Sequence, residues 1–238
     1  MSQIEAPEIK LNPSPKLEVW QIGKENQAVI IVDNVLADPE VFVDYIAGRP
    51  FGAPPAASKY PGLVAEVPRN YLNRLQDALR QPMVQIFNMH PDRHLPSYGF
   101  FGLATVPTDT MTPRQAAPHT DAHRLDSYAT VHYLSPTDFG GTAFYHHKAT
   151  GFELITPSRS DKFNHMRRRE LDAPEGAPHP AVEDLYVEIA YVEPKFNRLI
   201  LYRAGQLHSA RMDSSAELSD NPKVGRLTAN LFFNTEGL

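Results

Sequence analysis

The chain of 238 residues contains no cysteine. That absence excludes a disulfide framework, thiolate zinc fingers, thioredoxin-type exchange and every cysteine nucleophile. Any metal site must therefore be built from imidazole and carboxylate. Positive charge is also in short supply. With 23 Lys and Arg against 28 Asp and Glu the net charge is −5, so no global basic field exists to hold nucleic acid. Long apolar runs are missing too. The longest strongly apolar stretch, Ala28–Val32, is far too short to cross a bilayer. The opening residues MSQIEAPEIK carry two glutamates and no apolar stretch, unlike a secretory signal. The expectation is a cytoplasmic chain with neither nucleic acid nor membrane as partner.

What is present suits a folded β-rich chain. Apolar residues make up 42%, enough to bury a sizeable core without disulfides. Twenty-two prolines and 13 glycines are scattered along the sequence, which favours turns and short strands over long helices. Residues 1–15, polar and carrying Pro7, Pro13 and Pro15, read as a loose arm. Leu17–Ile22 and Ala28–Val32 read as strands. A helix follows, with Asp38 placed to cap it, Pro39 at its first position and Gly48 where a left-handed terminating residue belongs. Its apolar Val41, Phe42, Tyr45 and Ile46 form one stripe. After a proline-rich loop over 50–64, a second helix is expected at Arg69–Arg80, with Leu72, Leu75 and Leu79 on one face and Pro82 ending or kinking it. Trp20 is expected in the core.

From Tyr98 onward the pattern changes. Tyr98–Val106, Ser127–Leu134, Gly141–His146, Val187–Val192, Arg198–Arg203 and Arg226–Phe233 are short, rich in β-branched and aromatic residues, and separated by turn residues. Such a series argues for an all-β sandwich or barrel. The whole reads as one domain over 1–238: an N-terminal strand and helix layer over 1–97, and a β core over 98–238 with an insert at about 152–196. Within that insert, Arg159, Lys162, Arg167, Arg168 and Arg169 form a basic patch. It reads as a solvated helix face or as a lid over an anionic or peptide substrate.

The chemistry concentrates in PHTD, Pro118–Asp121. In extended chain, residues i and i+2 point to the same face, so His119 and Asp121 aim an imidazole and a carboxylate at one point. His208, in LYRAGQLHSAR, offers a third ligand. Two histidines and a carboxylate on one face of a metal leave other positions open, the arrangement of non-haem Fe(II) oxygenases. Arg226 opens the strand RLTANLFF, where a guanidinium is costly unless it meets an anion. Its planar fork suits a carboxylate. Thr228 follows on the same face, and Tyr133 lies on the strand after the His-x-Asp turn. Gly140-Gly141 reads as a hairpin turn.

The series HTD, YATVHYL, GGTAFY, RLILYRAGQLHSA and GRLTANLFF resembles the Fe(II)/2-oxoglutarate-dependent oxygenases, and among them the prolyl-4-hydroxylase-like branch. The likeness covers about residues 98–238, with a looser match in AVIIVDNVLADPE. It implies a mainly β fold with flanking helices, a double-stranded β-helix (jelly roll, cupin-like) with an N-terminal α+β layer. It implies Fe(II) on His119, Asp121 and His208, and 2-oxoglutarate held through its far carboxylate by Arg226, with Thr228 and Tyr133 in support. It further implies O₂ as oxidant, hydroxylation of a substrate C–H, and release of succinate and CO₂. One departure from the family is the long gap between His208 and Arg226, where the polar segment MDSSAELSDNPKVG reads as an inserted loop.

Other readings of the same residues are a zinc-type metallohydrolase on the same three ligands and a catalytically silent jelly roll that binds a ligand or partner. A hydrolase has no need of a buried dicarboxylate anchor such as Arg226-x-Thr228. His123, four residues after His119, is set aside as a ligand, and His132 is expected to point away from the site. His146 and His147 are assigned to surface or core. The substrate class stays open between small molecule and peptide, and so does the oligomeric state, a homodimer included.

Overall fold

A computed structural model of the protein describes residues 6–56, 58–172, 180–212 and 217–235. Parts of the expected N-terminal arm (1–5), of the proline-containing segment after the basic patch (173–179) and of the inserted loop (213–216) lie outside the described residues.

The protein is mostly β, with a few helices and two antiparallel sheets. β1 (Lys16–Ile22), β2 (Gln27–Asp33), β3 (Gly62–Glu66), β4 (Ser97–Ala104), β5 (Tyr128–Tyr133), β8 (Arg198–Arg203) and β10 (Arg226–Phe233) make the large sheet. Its order is β1-β2-β8-β5-β10-β4-β3. β6 (Thr142–His147), β7 (Tyr186–Val192) and β9 (His208–Ala210) make the small one, ordered β7-β6-β9. From β4 onward the chain passes back and forth between the two sheets. This corrects the hairpin reading of Gly140-Gly141: β5 pairs with β8 and β10, while β6 pairs with β7 and β9. The glycines carry the chain across. Gly140 has φ +89, and a Cβ there would meet the Arg211 carbonyl at 2.0 Å.

Period-two alternation sorts the strands into layers. On β10, Leu227, Ala229, Leu231 and Phe233 enter the core beneath two helices, α1 (Pro39–Ala47) and α2 (Arg69–Phe87). On the opposite face of the large sheet, Ala129, Tyr133, Ile200 and Tyr202 meet Phe144 and Val192 of the small sheet. A third cluster packs Phe163 of α4 (Pro157–Leu171) on Ala143, Tyr145 and Tyr186. Two short helices, α3 (Pro113–Ala116) and α5 (Val182–Leu185), border the space between the sheets.

Several local expectations need correction. Gly48 ends α1 with φ −83, in the right-handed region, because its N–H bonds back to the helix carbonyls without a left-handed turn. The buried stripe of α1 is Phe42, Val43, Tyr45 and Ile46, and Val41 faces solvent. Pro82 does not end α2. The helix runs on to Phe87 because Met83 and Phe87 continue its buried stripe, and Asn88 at φ 56 terminates it. Trp20 is 38% exposed, since β1 is an edge strand with most of its side chains outside. The loop expected over 50–64 ends in the start of β3, which begins just after Pro61 and pairs with β4.

His132 points away from the space between the sheets, as its place on β5 requires. Its Nδ1 lies 2.7 Å from the Tyr71 hydroxyl and its Nε2 3.2 Å from Asn197 Oδ1. Asn197 donates through Nδ2 to the Leu36 carbonyl, so its Oδ1 must accept. His132 therefore carries its proton on Nε2 and accepts from Tyr71 on Nδ1. Burial pushes the His132 pKa down to about 4, with the Asn197 bond acting the other way. Between pH 6.5 and 4 the unfolded chain takes up a proton that the folded chain refuses. The contribution of His132 to stability is full above pH 6.5 and falls as the pH drops, by about 3 kcal/mol near pH 4. Urea unfolding of the protein and of His132→Gln across pH 7.5 to 4.5 checks this. The wild type should lose stability on acidification more steeply, by close to one proton; equal slopes would contradict it.

Candidate metal centre and cavity

The three expected ligands come together. His119 forms a β-bridge with His208, in which each backbone N–H donates to the other's carbonyl at 2.9 and 3.0 Å. Two residues on, the Asp121 N–H donates to Ala204 O at 2.8 Å. These bonds hold the PHTD segment in extended form along the edge of the small sheet, so the i, i+2 geometry places both side chains on one face. His119 Nε2 stands 3.7 Å from Asp121 Oδ1, and His208 Nε2 stands 3.5 Å from Asp121 Oδ2. One ligand atom from each residue lies within 4.8 Å of the others.

Hydrogen bonding prepares this cluster for a cation. His208 is buried and its Nδ1 lies 2.9 Å from the Gln206 carbonyl, which can only accept. The proton therefore sits on Nδ1, and the Nε2 lone pair faces Asp121 and His119. Asp121 Oδ2 is buried without a hydrogen-bond partner among the described residues. Burial raises the Asp121 pKa, and desolvation of the ring between the sheets pushes His119 well below the ordinary histidine value. Imidazole nitrogens beside a buried carboxylate oxygen are a donor set for a divalent cation. His119 keeps 47% of its side chain exposed, into the cavity.

That cavity has a volume of about 560 Å³ and runs between the sheets from the ligand cluster to the start of β10. The same alternation that sends Leu227 and Ala229 into the core beneath the helices turns Arg226, Thr228, Asn230 and Phe232 into the cavity. Arg226 is 5% exposed, and its Nε and Nη2 donate to the Gly140 carbonyl, at 3.4 and 3.3 Å. Among the described residues no carboxylate pairs with it. Asn230 Nδ2 donates to Thr228 Oγ1 at 3.0 Å. Tyr133 does not line this cavity. It lines a smaller one of about 320 Å³ behind Arg226, and shares a 2.7 Å hydrogen bond with Thr142, which faces the larger one. Burial pushes the Tyr133 pKa up to about 12, so the phenol keeps its proton.

Sequence reasoning missed Tyr60. Its hydroxyl is buried, has no hydrogen-bond partner of good geometry among the described residues, and lies over Gly102, the register partner of Thr228. A Cβ at Gly102 would meet that hydroxyl at 2.4 Å. Burial raises the Tyr60 pKa against the opposing influence of Arg226 and Thr228. A Pro/Ala-rich loop gives no sequence signal for such a position. Tyr60, Phe100, Tyr98 and Phe232 form a chain of ring contacts along one wall, the last pair stacked at 5.0 Å. Asn230 was findable, since it continues the Arg226-x-Thr228 alternation.

The remaining histidines sit elsewhere. His123 Nε2 lies 3.1 Å from Thr120 Oγ1, outside the ligand cluster. His147 is fully buried and bonded to Glu170 and Thr150, while half-buried His146 lies 3.5 Å from Glu153. In the basic segment, Arg159 pairs with Glu25 at 2.7 Å and Lys162 stands over the Phe152 ring. Only Arg167 of that patch reaches the cavity.

The sequence matches the family described as "Family of unknown function (DUF6445)" over residues 13–233. No curated protein matches it. Solved structures similar to it include HygX from Streptomyces hygroscopicus with nickel and 2-oxoglutarate bound, at 12% identity and a TM-score of 0.47, covering 88% of this chain and 83% of that one. Another is the non-heme alpha ketoglutarate dependent carbocyclase SnoK from nogalamycin biosynthesis, at 14% identity and 0.45, covering 88% and 80%. A third is an N-substituted L-amino acid dioxygenase from Burkholderia ambifaria AMMD, at 10% and 0.40, covering 92% and 94%. Likenesses this distant say nothing of the reaction here. Among the described residues no helix is long and apolar enough to cross a membrane.

The unpaired carboxylate generates a two-sided prediction. Asp121→Asn should weaken Fe(II) or Co(II) binding at least ~100-fold, because a charged donor is lost. The metal-free variant should be as stable as the wild type or more so, by about 1–3 kcal/mol, since a buried charge without a partner is removed. Calorimetric metal titration and thermal unfolding check both. Undiminished metal affinity, or a metal-free variant markedly less stable, would contradict the assignment.

Proposed function

The chain belongs to the family of unknown function DUF6445, and for it we propose an Fe(II)- and 2-oxoglutarate-dependent oxygenase that hydroxylates a substrate C–H. The observation that carries this reading is the pairing, within one cavity, of a His-Asp-His cluster with a buried arginine that has no acidic partner among the described residues. A metallohydrolase accounts for the cluster and leaves Arg226 unexplained. The order of motifs supports the prolyl-4-hydroxylase-like branch. The alternation of strands supports a double-stranded β-helix: β4, β5, β8 and β10 are adjacent in the large sheet, and β6, β7 and β9 extend through the His119–His208 bridge in the small one.

His119, Asp121 and His208 would hold the metal on one face, leaving the cavity side free for 2-oxoglutarate and O₂. Arg226 would neutralise the far carboxylate through its fork, with the hydroxyls of Thr228 and Tyr60 adding hydrogen bonds. The two unpartnered groups, Asp121 and Arg226, thus each receive a charge of opposite sign. Tyr133 would act from behind, steadying Thr142 on the cavity wall. When bound, iron and 2-oxoglutarate supply oxygen activation, with succinate and CO₂ as coproducts. The protein's part is geometry and dryness. Tyr202 and Phe144 pack around His208, with Tyr202 4.8 Å from its ring, and the Tyr98–Phe232 stack keeps the opposite wall apolar. The prime substrate is a small molecule or peptide segment of a size the cavity accepts, in the cytoplasm.

Arg226→Ala should raise the dissociation constant for 2-oxoglutarate by roughly 100-fold or more while leaving Fe(II) affinity near the wild-type value. Arg226→Lys, which keeps charge and loses the fork, should fall between. Anaerobic calorimetry with each ligand reads both constants. Equal loss of metal and cosubstrate binding, or unchanged 2-oxoglutarate affinity, would remove Arg226 as the anchor.

A further inference from the structure

Keeping water out does not account for the order of the aromatic rings on the cavity wall. Phe232 meets both Tyr98 and Phe100, at 5.0 and 5.9 Å between ring centres, with planes inclined by only 22° and 28°. All three residues line the cavity. Phe232 is buried, whereas Tyr98 is half-buried and meets no second ring among the described residues. Strand order explains this open end. β3 stops at Glu66, opposite Phe100, so no strand of the sheet flanks Tyr98 on its outer side.

Strand register places these rings beside the ligand cluster and away from Arg226. Ala129 is the register partner of both Phe232 and Tyr202, so the two aromatic residues flank it on one row across the large sheet. The Tyr202 ring stands 4.8 Å from the His208 ring. The rings and the cluster therefore share a level of the sandwich, with only the small Ala129 side chain between Phe232 and Tyr202. Arg226 lies at the other end of β10, about 20 Å back along the strand at roughly 3.3 Å per residue. A cosubstrate that reaches from the metal to Arg226 runs away from the rings and leaves them to the compound that is oxidised. An apolar wall of any shape holds an alkyl chain. Near-parallel rings with one end open are completed by a further flat ring, in offset-stacked or edge-to-face contact.

We propose that Tyr98, backed by Phe232, forms a subsite for an aromatic ring of the compound oxidised in this cavity. This assignment rests on the oxygenase reading and names its substrate class: a molecule that carries a planar aromatic ring close to the carbon attacked. Tyr98 is thereby a specificity-determining residue, and Phe232 holds its ring in place.

The test uses the anaerobic protein loaded with Fe(II) and 2-oxoglutarate. Benzyl alcohol and 2-naphthol are titrated by calorimetry against their saturated counterparts, cyclohexylmethanol and decahydro-2-naphthol. The saturated members carry at least as much apolar surface, so burial alone gives the aromatic ones no advantage. The wild type should bind the aromatic member of each pair roughly three- to tenfold more tightly. Tyr98→Leu, which keeps apolar bulk and loses the ring, should abolish the difference while binding Fe(II) and 2-oxoglutarate as the wild type does. Tyr98→Phe should keep it. Two outcomes overturn the assignment: a wild type that prefers neither aromatic member, absence of binding included, or a preference that survives in Tyr98→Leu. The first of these needs no variant to fold. 2-Oxoglutarate titrated alone into the Fe(II)-loaded protein examines the oxygenase reading separately. If it fails to bind, that reading falls and this assignment with it; if it binds and no ring preference appears, only the assignment falls.

Discussion

Two backbone hydrogen bonds, His119 N–H to His208 O and His208 N–H to His119 O, decide where the chemistry of this protein can occur. They join a segment that belongs to no regular strand to the edge of the small sheet, and bring together residues 89 positions apart in the sequence. The Asp121 N–H to Ala204 O bond extends the attachment and sets the phase of the segment. A slip of one residue would turn both His119 and Asp121 to the other face. The sheets need each other for the rest of the cavity, because Arg226, Thr228 and Asn230 arrive from the inner face of the large sheet.

The charges in that cavity share one property. Among the described residues, Asp121 has a buried oxygen without a partner, Arg226 meets only a carbonyl at long range, and Arg167 has a buried Nε without an acceptor. Charged groups so placed reduce stability in the absence of ligands, and the surrounding structure offsets the cost. The offset is visible in the core beneath α1 and α2, in the Tyr71–His132–Asn197 hydrogen bonds, and in Asp33, whose pKa is held at about 2, chiefly by its hydrogen bond from Arg198. Groups of opposite sign that do not neutralise one another are arranged for ligands that carry the complementary charges.

Much of this was legible in the sequence, for identifiable reasons. The period-two pattern of RLTANLFF separated a core face from a functional face, and the fold keeps that division residue by residue. The i, i+2 spacing of His119 and Asp121 survives because a β-bridge makes the segment extended. What was hidden depends on long-range packing. Tyr60 gains its place from the missing side chain of Gly102, which no local pattern announces. Trp20 looked like core because of its size, but an edge strand leaves it outside. Pro82 reads as an end or a kink, yet the helix runs past it because the burial of Met83 and Phe87 outweighs one lost helical hydrogen bond. Gly140-Gly141 was read as a tight turn within one sheet because a sequence does not say which sheet the next strand joins.

The central claim is that this cavity binds a divalent metal and 2-oxoglutarate together. Anaerobic addition of Fe(II) to the metal-free protein, followed by 2-oxoglutarate, with visible absorption recorded at each step, tests it most directly. The account predicts a visible charge-transfer band that appears only when protein, Fe(II) and 2-oxoglutarate are all present, saturates at one equivalent of metal, and is lost in Asp121→Asn. A folded protein that gives no such band with both ligands at saturation would contradict the account.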